Sequence, residues 1–202
     1  MKWVERMSVL SLVTIFLAAI LTHNIALTYL LGMCPFVSLS RSLRTATGMG
    51  FAVIFVVALT AVVNWPIYNL ILVPTNSQLI YYVVFIIVIA ASVQLVEMIM
   101  ERFFPVLQAA FGIFLPLITV NCTVLAVSLF MVIREYNYPT TIVFAVGSAV
   151  GWMVAIVVVA AINEKLKLVG DVPKGLRGPG IIMVTAGIIA LAFLGFSGMV
   201  NV

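Results

Sequence analysis

Residues 7–40 read MSVLSLVTIFLAAILTHNIALTYLLGMCPFVSLS and contain no Asp, Glu, Lys or Arg. A continuous α-helix of these 34 residues would be about 51 Å long, whereas the hydrocarbon core of a bilayer is about 30 Å thick. Gly32 and Pro35 flank Cys34 near the end of the stretch, and both residue types interrupt helices. We therefore expect a broken or re-entrant membrane helix, whose irregular backbone is covered by protein or lines a cavity.

A second charge-free stretch, residues 103–133, has the same character. Its 31 residues would form a helix of about 46 Å. Pro116 and the polar pair Asn121-Cys122 interrupt it. The order IFL then THN within residues 15–24 is echoed by IFL then TVN within residues 113–121. Two overlong segments with a shared pattern predict two related halves of the chain.

The whole chain has the composition of a membrane protein. Of its 202 residues, 65% are hydrophobic and 8% are charged, whereas soluble domains carry roughly 25% charged residues. The sequence therefore predicts one all-α polytopic membrane domain over residues 1–202, with no soluble module. A turn within residues 64–76 divides the longest charge-free stretch. The predicted transmembrane helices are six, near 8–30, 46–68, 79–100, 107–132, 141–162 and 180–200.

The basic residues lie in short connections between apolar runs. They therefore act as orientation signals, and the net charge of +4 is no sign of nucleic-acid binding. With six spans, both termini lie on one side of the membrane. That side carries Lys2, Arg6 and Arg134, and the other carries Arg41, Arg44, Arg102, Lys165, Lys167, Lys174 and Arg177. The positive-inside rule places the more basic side in the cytoplasm and both termini in the periplasm.

The N-terminal segment has some features of a secretory signal peptide, because charged residues precede an apolar core. Glu5 lies among those charges, however, and no small-x-small cleavage site follows the core. The apolar character also continues as far as Phe36. We interpret the segment as the first membrane helix, retained in the protein.

Three helices in each half would invert the second half relative to the first. We therefore predict two inverted three-helix repeats, over approximately residues 1–102 and 103–202, with broken first and fourth helices. In membrane proteins of this kind, the functional site lies near the midplane, at the interface between the repeats.

Cys34 and Cys122 are the only cysteines of the chain, and each lies in an apolar stretch beside a predicted break. Buried packing is one interpretation, because a free cysteine behaves as a small hydrophobe. We favour the other, that both are buried metal ligands within the membrane. Two thiolates leave a site incomplete, since iron–sulfur clusters and structural zinc sites usually take four ligands. His23, the only histidine, is interpreted as a packing or hydrogen-bonding residue, so a partner must supply two more cysteines.

Other polar residues in the apolar stretches are weaker candidates. Glu97 is the acid deepest in a predicted helix, and intramembrane charges mark ion pathways; an interfacial position or a pair with Arg102 is the alternative. Asn24, Asn121 and Thr119 are candidate hydrogen-bond donors to the metal-bound sulfur, and local capping of half-helices is the alternative.

The segments around both cysteines resemble a known family. LGMCPF at 31–36 and GIFLPLITVNC at 112–122 are similar to the two cysteine motifs of six-helix subunits in the sodium-translocating NADH:quinone reductase and the related Rnf complex. Later segments favour the quinone-reductase branch, its E subunit, over the A subunit of the Rnf complex, which stays the alternative. These segments are REY at 134–136, GWM at 151–153, NEKLK at 163–167 and PKGLRG at 173–178.

This resemblance implies a subunit with no complete active site of its own. It implies that Cys34 and Cys122 supply half the ligands of a [2Fe–2S] cluster shared with the homologous D subunit, which is inserted in inverted orientation. The cluster would relay electrons across a bacterial inner membrane between flavin-bearing subunits of the complex, which also contains the A, B, C and F subunits. The complex would reduce ubiquinone and export sodium ions, and the family pattern has an acid at the place of Glu97.

Two other classes of protein fit the predicted topology. A small secondary transporter or channel built from inverted repeats would not need either cysteine. A purely structural assembly subunit would not need them for metal binding.

Overall fold

The computed structural model describes residues 2–21, 24–40, 42–73, 78–103, 115–169 and 178–197. Within these ranges the chain forms helices and no strands. The helices are α1 Lys2–Ile20, α2 Ile25–Thr28, α3 Met33–Leu39, α4 Leu43–Ile67 with a π-helix Tyr68–Leu72, α5 Gln78–Phe103, α6 Leu115–Thr119, α7 Cys122–Ile133, α8 Tyr138–Val169 and α9 Pro179–Ser197.

Three of these helices are long and apolar enough to cross a bilayer. They cover Leu43–Leu70, Ile80–Ile99 and Tyr138–Leu168. Shorter apolar helices within the described ranges cover Ser11–Ile20, Leu117–Ile133 and Pro179–Gly195. The all-α class is confirmed, while the number of six crossings stays a prediction, and part of the predicted helix at 107–132 lies outside the described residues.

Helices α4 and α8 pack along each other and form the centre of the bundle. Val53, Val57 and Ala61 follow one another at four-residue spacing on α4, and all three are buried. Ala145 and Ala149 repeat this spacing on α8 and are also buried. Because lipid gives helices no hydrophobic reason to associate, such small side chains allow the close packing that holds membrane helices together.

Helix α1 is held against α8 by two glycines. A Cβ atom at Gly147 would lie 3.2 Å from the carbonyl oxygen of Phe16, and one at Gly151 would lie 3.1 Å from the Cα atom of Ile20. Since these neighbours are backbone atoms, they cannot move aside as a flexible side chain would. The absence of a side chain at both positions therefore sets the distance between the two helices.

Two helices are longer than the sequence indicates. Pro66 lies inside α4, and the chain continues as a π-helix to Leu72. The predicted start of the turn at residue 64 is therefore wrong. A proline lacks the backbone N–H and disturbs the hydrogen-bond ladder, which a wider local turn accommodates. Helix α8 runs past the predicted end at residue 162 to Val169, and its last turns expose Glu164 and Lys165.

Candidate functional site

The first overlong segment is interrupted twice and the second at Val120-Asn121, so both are broken as predicted. The interruptions of the first segment lie between α1 and α2 and between α2 and α3. Pro35 does not make a break, because it lies in the first turn of α3, and Pro116 lies within α6, before the break at Val120-Asn121. The first turn tolerates proline, since its N–H groups have no partner within the helix.

In each overlong segment, an asparagine is the N-cap of the helix that follows one of the breaks. Asn24 accepts a hydrogen bond from the Ala26 N–H at 3.1 Å, and Asn121 accepts one from the Thr123 N–H at 3.1 Å. Both asparagines have extended backbone angles, as N-cap residues do. The capping role, which the sequence left as the alternative, is therefore present at both positions.

The side-chain nitrogens of the two asparagines are used differently. Asn24 Nδ2 donates to the carbonyl oxygens of Ile20 at 3.2 Å and Gly151 at 2.8 Å, which uses both of its hydrogens. Asn121 Nδ2 is buried and has no hydrogen-bond partner in the described part of the chain. Of the two residues, only Asn121 retains amide hydrogens for another acceptor.

The turn between α2 and α3 is seated on the N-terminus of α7. The Gly32 N–H donates to Cys122 Sγ at 2.8 Å, and Thr123 Oγ1 donates to the Leu31 carbonyl oxygen at 3.3 Å. Leu30 and Gly32 have φ angles of +53° and +81°, which turn the chain sharply. These contacts join the segments of the two cysteines, although 90 residues separate Gly32 from Cys122.

The two cysteines lie on either side of this junction, each in the first turn of its helix. Cys122 begins α7 and is half-buried, while Cys34 is the second residue of α3 and is exposed. Within this chain Cys34 is therefore not covered by other residues, and its predicted burial within the membrane stays a prediction. Its helix turns the thiol outward from the bundle, where atoms of another chain can reach it. Both cysteines are free thiols.

Ligands for a metal are scarce around this junction. Among the residues that the structure describes, no group of three or more His, Cys, Asp or Glu side chains lies close enough to hold an ion. His23 lies outside the described residues. A four-coordinate centre at Cys34 and Cys122 therefore needs ligands beyond these residues.

Trp152 of α8 closes the junction from the inside of the bundle. It is 0% exposed, and its Nε1 has no hydrogen-bond partner among the described residues. A Cβ atom at Gly32 would lie 2.6 Å from that nitrogen and 3.1 Å from Asn121 Oδ1, and it would overlap Thr123 Oγ1. The position thus requires glycine both for its backbone angle and for the space around it.

Comparison with known proteins places this arrangement in a family. Residues 12–200 match the family described as "Rnf-Nqr subunit, membrane protein". The chain belongs to the Rnf-Nqr family.

Three curated relatives of this Rnf-Nqr chain are each named as the E subunit of the Na(+)-translocating NADH-quinone reductase. They come from Psychromonas ingrahamii (47% identical), Klebsiella pneumoniae (45%) and Serratia proteamaculans (47%), and each match covers 93% of this chain and 97% of the relative. The family predicted from the cysteine motifs is confirmed, and these relatives are subunits of an oxidoreductase complex. The family and the apolar helices make the chain a membrane protein.

The remaining candidates of this Rnf-Nqr chain lie away from the junction or at its edge. Glu97 is half-buried on α5, four residues after Val93 and next to Val96, both of which are buried. It therefore borders the face of α5 that packs inside the bundle. Thr119 is the last residue of α6, two positions before Asn121.

Two buried polar contacts were not predicted from the sequence. Asn64 Nδ2 donates to Ser128 Oγ at 2.7 Å, and Asn163 Nδ2 donates to the Ser40 carbonyl oxygen at 3.3 Å. Asn64 follows a long apolar part of α4, which was the available signal, whereas Asn163 directly precedes Glu164 and Lys165 and gave no such signal. Both contacts tie a central helix to one of the broken segments.

Proposed function

We propose that this chain is the E-type membrane subunit of a sodium-translocating NADH:ubiquinone reductase and supplies two ligands, Cys34 and Cys122, to an iron–sulfur centre. The observation that carries the proposal is the hydrogen bond from the Gly32 N–H to Cys122 Sγ, which brings the two cysteine segments together. The names of the relatives supply the complex, and the motif resemblance supplies iron as the metal.

The donor set at the junction fits such a centre. Two free thiols are present, and Cys122 Sγ, at the start of α7, accepts a hydrogen bond from the Gly32 N–H. Thiolates are the ligands that hold iron–sulfur clusters. The exposure of Cys34 suits a centre completed by another chain, which would supply the two missing ligands.

When bound, an iron–sulfur centre of the [2Fe–2S] type accepts and releases one electron at a time. The work of this chain is to fix the positions of the two sulfurs and to shield the half-buried Cys122 from water. Phe36, Ile118 and Val124 are buried around the junction and provide apolar surroundings. Such surroundings help to set the reduction potential of a metal centre.

The partner proposed for the other ligands is the homologous D subunit, within a complex whose flavin-bearing members are among the A, B, C and F subunits. Inverted repeats in this chain are supported by the paired asparagine caps, Asn24 and Asn121, after breaks in the two overlong segments. We place the chain in a bacterial inner membrane with both termini in the periplasm, because the basic residues favour that orientation.

Sodium transport is the second part of the proposed activity. Glu97 is the candidate for the ion path because it is half-buried and borders the packed face of α5, next to the buried Val96. Ionisable side chains at membrane depth are costly and mark ion pathways.

The test replaces each cysteine by alanine in the complete complex. Cys34→Ala and Cys122→Ala should both abolish the iron and acid-labile sulfide of this centre and its electron paramagnetic resonance signal. Ser38→Ala is the matched control, because Ser38 lies one turn after Cys34 on α3 and is also partly accessible. Unchanged iron and electron transfer in both cysteine variants would rule out the proposed centre and favour a transporter or a structural subunit.

A further inference from the structure

The junction contains two buried N–H donors without a partner in the described part of the chain, the Trp152 indole and the Asn121 amide. We propose that these groups donate hydrogen bonds to sulfur at the Cys122 side of the iron–sulfur centre and raise its reduction potential. This inference rests on the proposed function, because it presupposes a centre bound to Cys122.

The indole of Trp152 reaches the residue that contacts the sulfur. Its Nε1 would lie 2.6 Å from a Cβ atom at Gly32, and the Gly32 N–H itself donates to Cys122 Sγ. The ring is held in place by an edge contact with Phe36 of α3, with centroids 6.3 Å apart and planes at 78°. The N–H group is therefore fixed between α8 and the turn that precedes Cys34.

The amide of Asn121 is oriented by its capping bond. Because Oδ1 accepts from the Thr123 N–H, the Nδ2 group is turned away from the first turn of α7. Asn121 directly precedes Cys122 in the chain, and its amide hydrogens have no acceptor among the described residues. Asn24 provides a contrast, since its Nδ2 hydrogens already go to two backbone carbonyls.

A surplus of donors at one place points to an acceptor that the chain alone does not provide. Leaving a buried N–H unsatisfied costs the desolvation of that group, and native proteins rarely do so. The sulfide of an iron–sulfur centre would be such an acceptor, since it carries negative charge and does not belong to the chain. Hydrogen bonds to sulfur favour the reduced, more negative form of a cluster and raise its potential.

The competing acceptor is Thr123 Oγ1, which donates to the Leu31 carbonyl oxygen and keeps its lone pairs. If the indole served only this hydroxyl, its removal would weaken the packing of the turn without changing the electronic properties of the centre. The potential of the centre separates the two roles, because a purely structural bond does not shift it.

The experiment measures the midpoint potential of the centre in the purified complex by a redox titration followed by electron paramagnetic resonance. We expect Trp152→Phe to lower the equilibrium constant for one-electron reduction three- to tenfold, or roughly 30–60 mV at 59 mV per tenfold. Asn121→Gly should shift it in the same direction, and glycine at an N-cap costs little stability. Iron and acid-labile sulfide are measured in every variant.

Trp65→Phe is the matched control, because the Trp65 indole N–H is already bonded to the Tyr136 carbonyl oxygen at 3.1 Å. It should leave the potential unchanged. Full iron content with an unchanged potential in both Trp152→Phe and Asn121→Gly would overturn the inference. If Trp152→Phe does not assemble, Asn121→Gly decides alone. Failure of the proposed function would give a different result, because Cys34→Ala and Cys122→Ala would then keep the iron content of the wild-type complex.

Discussion

A methyl group added at Gly32 is the smallest change that disturbs the junction between the two cysteine segments. The residue has a φ angle of +81°, which an alanine adopts at a cost of about 1–2 kcal/mol. The added carbon would overlap Thr123 Oγ1 and approach Trp152 Nε1 to 2.6 Å. Both neighbours are buried, so the crowding costs about 1–3 kcal/mol more.

The sum predicts that Gly32→Ala destabilises the protein by about 2–5 kcal/mol. At about 2–4 °C per kcal/mol for a chain of this size, the melting temperature should fall by roughly 4–20 °C. Thermal unfolding of the detergent-solubilised complex, followed by intrinsic fluorescence, measures this change. The iron content should fall as well, because the Gly32 N–H contact with Cys122 Sγ would be displaced.

Gly187→Ala is the matched control for this prediction. Gly187 lies inside α9, and a Cβ atom there would meet nothing within 4 Å. Because alanine favours helix over glycine by about 1 kcal/mol, the control should not lower the melting temperature. If the Gly32→Ala complex has the melting temperature of the wild type, the turn does not pack on α7 as described.

Two further predictions concern helix packing and the ion path. Gly151→Val should separate α1 from α8 and lower the melting temperature, since its Cβ atom would lie 3.2 Å from the Ala19 carbonyl oxygen, whereas Gly187→Val should have little effect. Glu97→Gln should raise several-fold the sodium concentration that gives half-maximal quinone reduction, while the iron content stays unchanged. Glu164→Gln, at an exposed position on α8, is the control for this variant. Equal sodium dependence in the two variants would show that Glu97 is not part of the ion path.

The membrane class and the interrupted segments were predictable from the sequence because these depend on local composition and length. The absence of charge over 34 residues required a break, and glycine at residue 32 located one of them. Proline was the misleading signal. Pro35 lies in the first turn of α3, and Pro66 lies within a helix that continues past it, because the effect of a proline depends on its position relative to a helix start.

The contacts that build the candidate site could not be read from the sequence. Trp152 and Gly32 meet only because α8 packs beside the turn between α2 and α3, and no local pattern encodes that meeting. The exposure of Cys34 was missed for a related reason, since an apolar stretch indicates lipid as surroundings and does not tell which side chains face out of the bundle. The motifs were enough to select the two cysteines as candidate site residues. Their role as metal ligands stays a proposal.

The separation between Gly32 and Cys122 has a consequence for biosynthesis. A ribosome that adds roughly 5–20 residues per second needs roughly 5 to 20 seconds to extend the chain from Gly32 to Cys122, a sequence separation of 90. The Gly151 carbonyl, which Asn24 binds, is made later still, because 127 residues separate the two. During this interval the turn between α2 and α3 has already been synthesised, but the parts of the second half that contact it have not. The proposed iron–sulfur centre would therefore assemble only after the second half of the chain has been synthesised.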